Sequence, residues 1–163
     1  MIREVANKDI PAICHIYNYY IANTIITFEY EPVDVEEMTR RIEEIKTTLP
    51  FIVYESEGGI KGFAYASKWK GRCAYQFSVE TTVYTDKDSM GRGIGTALYT
   101  ALLDDLRQRK FHAAIAGISL PNEPSRKLHE KFGFEKVAQF KEVGYKFNKW
   151  IDVGYWELIL NPL

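Results

Sequence analysis

Met90-Gly91-Arg92-Gly93-Ile94-Gly95-Thr96 lies where the period of the chain changes, behind an alternating strand-like run and ahead of the stripe Ile94, Ala97, Leu98, Ala101, Leu102 and Leu106. That stripe has the spacing of one buried helix face, so the glycine-rich segment closes a strand and opens a helix. Glycines there let the backbone approach a ligand closely, and the unpaired N–H groups of a helix N-terminus attract an anion such as a pyrophosphate. A phosphate-bearing cofactor is implied. The segment is not a Walker A loop, because no Gly-Lys-Ser or Gly-Lys-Thr follows. It is also a poor dinucleotide fingerprint, since it lies mid-chain behind antiparallel strands and not in an opening βαβ unit. A connection kept only for turn geometry is the lesser reading of the segment taken alone.

On the N-terminal side, Ile10, Ile13, Cys14, Tyr17, Tyr20 and Ile21 share one helical face capped near Asn7, with Pro11 tolerated in the first turn. A second stripe, Val35, Met38, Ile42, Ile45 and Leu49, starts at Asp34 with Glu37 three residues on, a capping-box pattern, and Pro50 ends it. The period then shortens to two. Phe51 to Tyr54 and Ile60 to Ala66 flank Glu57-Gly58-Gly59 as a hairpin, and Trp69-Lys70-Gly71-Arg72 is a second turn into a long strand from about Tyr75 to Tyr84. Beyond the glycine segment come a strand from Ala113 to Ile118, a turn at Pro121-Asn122-Glu123-Pro124 and a short helix from Ser125 to Phe132, stopped by Gly133. Two aromatic-rich strands with a turn near Asn148 complete the chain. The expected fold class is α/β, a mixed (α+β) sheet flanked by helices, in a single domain over residues 1–163.

The composition narrows the function classes. Twenty-one Lys and Arg balance 22 Asp and Glu, and 46% of the residues are hydrophobic, which excludes disorder and argues against a protein that coats nucleic acid through a broad basic surface. No apolar run approaches the roughly 20 residues of a membrane span, and Met1-Ile2-Arg3-Glu4 carries no signal-peptide pattern. Cys14 and Cys73 match neither a metal spacing nor a disulfide framework, and the carboxylates show no metal-ligand spacing. The expectation is a cytoplasmic protein with reduced thiols, no metal, and no membrane or nucleic-acid partner.

About 30 residues after the glycine segment, Asn122 is followed by Leu128-His129-Glu130-Lys131-Phe132-Gly133-Phe134. Together the two segments resemble the acetyl-CoA motifs of the GNAT superfamily of N-acetyltransferases. The resemblance implies a GNAT-like fold with a splayed, mostly antiparallel sheet, whose splay sits at a bulge, and acetyl-CoA as co-substrate. It implies backbone contacts to the cofactor from Val83, Tyr84 and Thr85 and from Gly91, Arg92, Gly93, Ile94, Gly95 and Thr96. Asn122 is then near the pantetheine arm and Lys131 near the nucleotide end. The superfamily loop usually begins with Gln or Arg where this chain has Met90, which removes one side-chain contact and leaves the backbone cradle.

The likeness is closest to the phosphinothricin and methionine sulfone or sulfoximine N-acetyltransferases. Thr27-Phe28-Glu29, Trp69-Lys70-Gly71-Arg72, Glu80-Thr81-Thr82-Val83-Tyr84, Leu120-Pro121-Asn122, Val143 to Phe147 and Trp150 to Trp156 carry it, so it covers most of the chain. It implies transfer of an acetyl group to the amine of a small amino acid or analogue. Acetylation of another amine, such as a protein N-terminus or polyamine, and a non-catalytic acyl-CoA sensor are the competing readings.

Acetyl transfer to an amine needs a proton acceptor, and Glu80, placed by alternation with Ser78 and Thr82 opposite Phe77 and Val79, is the expected base, its pKa raised by desolvation. His129, seven residues after Asn122, stands where many superfamily members carry a Tyr that protonates the leaving thiolate, and a histidine has the pKa to do the same. Lys70, Gly71 and Arg72 are expected to hold the substrate carboxylate, Arg in a bidentate fork. Phe28 and Glu29 match the start of the family's substrate wall, where Glu29 would meet the ammonium, with Thr81 and Thr82 alongside. The tail holds Phe140, Tyr145, Phe147, Trp150, Tyr155 and Trp156, an aromatic excess expected at a subunit interface. With the resemblance, it implies a homodimer in which Lys146, Phe147 and Asn148 reach the partner's site.

Overall fold

In a computed structural model that describes residues 1–162, strands β4 (Ser78–Thr85) and β5 (Ala113–Ser119) run parallel side by side, then part. They pair only at Ser78 with Ala113, Val79 with Ala114 and Glu80 with Ile115. Beyond Glu80 each strand follows its other neighbour. β4 stays in register with β3 (Gly59–Lys68) as far as Thr85 opposite Gly62, and β5 stays with β7 (Lys149–Ile159) as far as Ser119 opposite Val153. The sheet is thereby split into two arms. Its full order is β1-β2-β3-β4-β5-β7-β6, with β1 at Ile2–Glu4, β2 at Phe51–Ser56 and β6 at Glu135–Lys146, and every pairing but β4 with β5 is antiparallel. The mixed sheet and the splay are as expected. The bulge is not: the β3–β4 register is unbroken, and divergence alone opens the gap.

Helices cover both faces. α1 (Ile10–Asn23) and α2 (Val35–Lys46) bury Ile13, Ile21, Met38 and Ile42 against Val53, Phe63 and Tyr84. On the other face α3 (Ile94–Gln108) buries Leu98, Tyr99, Leu102, Leu103 and Leu106 against Val79, Ala116 and Trp156. This is the helical stripe read from the spacing. α2 starts where the capping pattern put it, the Asp34 carboxylate accepting the Glu37 N–H at 2.8 Å. The cap before α1 differs. Asn7 begins a single 3-10 turn, and Asp9 accepts the Ala6 N–H at 2.8 Å while Arg3 grips its carboxylate at 2.7 and 2.9 Å.

Two further elements depart from expectation. Ile2–Glu4 forms strand β1 on the edge of β2, a pairing three residues long that leaves no period to read. The strand expected from about Tyr75 begins at Ser78. Cys73–Tyr75 are a 3-10 turn, and ladder pairing starts where the His112 N–H donates to the Phe77 carbonyl at 2.8 Å. The hairpin joining β6 and β7 turns at Phe147 and Asn148, both with positive φ, as the turn near Asn148 requires. Of the six tail aromatics, Phe140, Tyr145, Phe147 and Trp150 are exposed, whereas Trp156 is 1% exposed in the α3 core and Tyr155 lines the cleft described below. No described helix is long and apolar enough to cross a membrane.

Candidate active site

Strand alternation decides which backbone groups face the gap. The Asp86 N–H donates to the Lys61 carbonyl at 2.9 Å, so even-numbered positions of β4 turn their N–H and C=O toward β3. Thr81 and Val83 then present theirs to the gap. By the same reasoning the Leu120 N–H, which donates to Asp152 at 2.9 Å, leaves Gly117 and Ser119 facing the gap from β5. Of the three backbone contacts expected on β4, Val83 is open at both groups and Thr85 at its N–H, its carbonyl accepting the Tyr20 hydroxyl at 2.6 Å. Tyr84 pairs with Phe63 and buries its ring against α1. Thr81 joins them, a residue the sequence reading put on the substrate side.

The glycine segment meets the end of this gap. Gly91 and Gly93 have φ of 73° and 79°, left-handed values that favour glycine, and Gly93 caps α3. Its carbonyl accepts the Ala97 N–H at 3.0 Å, while the N–H groups of Ile94, Gly95 and Thr96 belong to the first turn, which has no intrahelical acceptors for them. Space around Gly93 is open: a Cβ placed there would meet no atom within 4 Å. The segment is therefore a concave patch of N–H donors at the positive end of a helix dipole, which fits a pyrophosphate. Arg92 is exposed beside Glu57 at 3.5 Å, and Met90 is exposed. Lys131 is exposed at the last residue of α4 (Glu123–Lys131) and does not line the cleft.

The gap widens into a cleft of about 440 Å³ lined by residues from both arms, among them Phe28, Tyr65, Glu80, Thr82, Gly117 and Tyr155. Glu80 is half-buried in its wall, and burial pushes its carboxyl above the usual carboxylate range, with the positive charge of Lys70 opposing. No hydrogen bond within the described residues contributes to that shift. A carboxylate with unengaged oxygens facing a cleft is placed to accept a proton.

His129 lines the cleft, with its ring engaged by the fold. It is 4% exposed, and its Nδ1 lies 2.7 Å from the Ser125 carbonyl, an acceptor, so Nδ1 carries the hydrogen. Nε2 then accepts from the Tyr99 hydroxyl at 2.6 Å, and Tyr99 accepts in turn from Thr81 at 2.9 Å. Burial lowers the histidine's pKa, with the Ser125 hydrogen bond opposing, so the ring is neutral near pH 7. Both nitrogens are engaged, which leaves no free N–H aimed at a leaving thiolate. The ring instead ties α4 to α3 and to β4. Asn122 caps α4, its side chain accepting the Ser125 N–H at 3.3 Å, and lines the cleft.

The expected substrate wall divides. Phe28, Thr81 and Thr82 line the cleft. Glu29 does not: Arg41 on α2 grips both its oxygens at 2.7 and 2.9 Å and the Tyr17 hydroxyl donates to it, which holds its carboxyl below the usual range. That carboxylate is committed to Arg41 and Tyr17 and lies off the cleft wall. Lys70 stands over the Trp69 ring, 4.9 Å from its centroid, close enough to act on Glu80. Gly71 and Arg72 are exposed and lie off the cleft wall. Lys146, expected on an exposed turn, folds inward, 4% exposed, and its Nζ donates to the Thr27 carbonyl at 2.7 Å. Tyr65, Tyr99, Gly117 and Tyr155 are cleft residues that the sequence reading missed. Among the described residues no three His, Cys, Asp or Glu side chains gather as a metal site.

Comparison with known proteins bears on this arrangement. The family model for the acetyltransferase (GNAT) domain matches residues 2–154. The phosphinothricin N-acetyltransferase of Streptomyces viridochromogenes is 38% identical over 156 residues, covering 96% of this chain and 85% of that protein. The L-methionine sulfoximine/L-methionine sulfone acetyltransferase of Salmonella typhimurium is 31% identical, covering 98% of this chain and 94% of that one. A GNAT superfamily phosphinothricin acetyltransferase from Sinorhizobium meliloti, solved in complex with acetyl-CoA, superposes with a TM-score of 0.96 at 32% identity, covering 99% of this chain and 88% of that one.

Proposed function

The chain belongs to the GNAT acetyltransferases, and from that premise we propose that it transfers the acetyl group of acetyl-CoA to the amine of a small amino acid or analogue of the phosphinothricin or methionine sulfone type. The observation that carries this reading is the unengaged, half-buried Glu80 carboxylate at the point where β4 and β5 part, in one cleft with the free backbone groups of Thr81 and Val83.

When bound, acetyl-CoA supplies a thioester carbonyl open to attack by an amine. The chain's own residues supply the rest. The N–H groups of the 91–96 segment hold the pyrophosphate, and the gap-facing edge of β4 offers strand-like pairing to an extended arm. Glu80 takes the proton that makes the amine nucleophilic, and the aromatic walls of the cleft keep bulk water from competing. No covalent acyl-enzyme is needed, so the exposed Cys73 has no part in the reaction.

Thiol release from acetyl-CoA, followed against a panel of amines, tests the reading. Phosphinothricin and methionine sulfone are expected to support release, and protein N-termini and polyamines to support little. Release only on the latter would move the enzyme to another amine class, and binding of acetyl-CoA without release on any amine would make the protein a sensor.

The proposal extends to residues 1–163 acting as one catalytic domain in the cytoplasm, where exposed thiols such as Cys73 stay reduced. It also extends to a homodimer. Phe140, Tyr145, Phe147 and Trp150 leave large apolar rings on the β6–β7 hairpin facing solvent, Trp150 at 65% exposure, the kind of surface a subunit contact covers. Light scattering at micromolar concentration is expected to give twice the 18.9 kDa chain mass. A fully active particle of single-chain mass would remove the dimer.

A further inference from the structure

Glu80 on β4, Gly117 on β5 and Tyr155 on β7 lie on adjacent strands and on one face of the sheet. Their chain neighbours Val79, Ala116 and Trp156 belong to the core under α3, so alternation turns all three to the opposite side. Register sets their offset: Glu80 pairs with Ile115, two residues before Gly117, and Gly117 sits directly opposite Tyr155. With strands about 4.8 Å apart and about 3.3 Å per residue along them, Glu80 and Tyr155 lie about 12 Å apart diagonally across β5, and both line the same cleft. A side chain at 117 would crowd the ring: a Cβ there would lie 3.2 Å from Cε1 of Tyr155, so the ring lies over the glycine and would have to shift.

The ring is fixed as well as aimed. Trp69 meets it edge-on from one side at a centroid distance of 5.7 Å, and Phe140 meets it edge-on at 5.7 Å. Its position between them does not depend on the hydroxyl. The hydroxyl lies in the cleft wall, desolvated first and then acted on by the Glu80 charge, and no hydrogen bond contributes to its environment among the described residues. A rigidly held phenol with an unspent hydroxyl, facing an unspent carboxylate across an open cleft, has the form of a two-point clamp.

We infer that Tyr155 touches the substrate, its hydroxyl oxygen accepting one N–H of the substrate ammonium while the Glu80 carboxylate takes a second of its three protons, so that the lone pair freed on the neutral amine is aimed at the acyl carbon. This rests on the acetyl-transfer reading above. A phenol oxygen accepts as well as donates, and an amine held at two hydrogens has lost most of its orientational freedom, which is where such a contact speeds the reaction. Gly117 is then a specificity position, because it admits the ring.

Tyr155→Phe keeps the ring and its packing and removes only the oxygen. Its kcat/KM for the amine is expected to fall on the order of 10- to 100-fold, the scale of one hydrogen bond to a charged group. Calorimetric affinity for acetyl-CoA and the melting temperature are expected to stay at the wild-type values. Gly117→Ala, which retains the hydroxyl and displaces the ring, is expected to show a comparable loss, and the double variant is expected to be no worse than the poorer single one. Wild-type turnover with Tyr155→Phe equally active would overturn the role of Tyr155 alone. No thiol release by the wild type on any amine would overturn the acetyl-transfer reading and this inference with it. Fully additive losses in the double variant would separate Gly117 from Tyr155 and overturn the clamp.

Discussion

Replacing Glu80 by Gln is expected to lower turnover by on the order of 10² to 10⁴ while acetyl-CoA affinity and thermal stability stay near wild type, the range typical of losing a general base. The size follows from what the carboxylate does and does not do in the fold. No hydrogen bond to it contributes in the described structure, so the amide leaves no partner orphaned. Glutamine has the same shape, and the wall of the cleft stays packed. What disappears is proton acceptance. The charged groups facing Glu80 are few: Lys70 from the loop after β3 favours its ionised form, and the neutral phenols of Tyr65, Tyr99 and Tyr155 surround it on β3, α3 and β7. Burial wins over Lys70, and the carboxyl is held above its ordinary value. The sign for activity is then fixed. A base works only when deprotonated, so kcat/KM is full above the raised pKa and falls as pH drops through it, at a higher pH than an exposed glutamate would give. Initial rates of thiol release between pH 5 and 9 check both halves. Glu80→Gln should lose the acidic limb along with the rate, Lys70→Met should move the wild-type limb to higher pH, and full activity of Glu80→Gln across the range would reject Glu80 as the base.

How much of this was readable beforehand depends on how far apart the cooperating residues lie in the chain. The helical stripe of α3, the cap at Asp34 and the hairpin at Phe147 and Asn148 are local patterns, and the structure follows them. So are the glycine segment and the placing of Glu80 opposite Val79, since alternation needs only neighbours. β1 was invisible because three residues have no period, and the start of β4 was misplaced because Tyr75 to Phe77 have strand-like composition without a partner strand until Ser78. Composition cannot report that. Glu29 shows the same limit for charge. It reads as an available carboxylate until α2 brings Arg41 onto it from twelve residues away. His129 reads as a free imidazole until the Ser125 carbonyl and Tyr99 take both nitrogens. Gly117 and Tyr155 are 38 residues apart and share a cleft wall with Glu80 only because the strand order places β5 between β4 and β7. A side chain whose partner is set by sheet order leaves no signal in spacing.

Gly93→Asp is expected to weaken acetyl-CoA binding by on the order of 10² or more, and the comparison with Gly93→Ala separates the two causes. Gly93 has φ of 79° and no atom within 4 Å of where a Cβ would sit, so a methyl group meets no steric obstacle. Alanine there bears only the left-handed backbone cost, about 1 to 2 kcal/mol, which appears as lost stability of the free protein more than as lost affinity. Aspartate tolerates the left-handed region better, so its backbone cost is smaller. It brings instead a negative charge into the N–H cradle at the start of α3, where the helix dipole and the first-turn donors would otherwise receive an anionic pyrophosphate. Two like charges about 5 Å apart at an effective dielectric near 20 repel by about 3 kcal/mol, a factor of on the order of 10² in affinity. The carboxylate can also fold back onto the N–H groups of the first turn and occupy the donors itself, which competes with the ligand and stabilises the free helix. The two variants should therefore move in opposite directions: Gly93→Ala lower in melting temperature with acetyl-CoA affinity nearly kept, Gly93→Asp nearly as stable as wild type with affinity lost. Calorimetric titration with acetyl-CoA beside thermal melting reads both. Unchanged affinity in Gly93→Asp would mean that the pyrophosphate is held elsewhere, and the cradle assigned to residues 91–96 would be wrong.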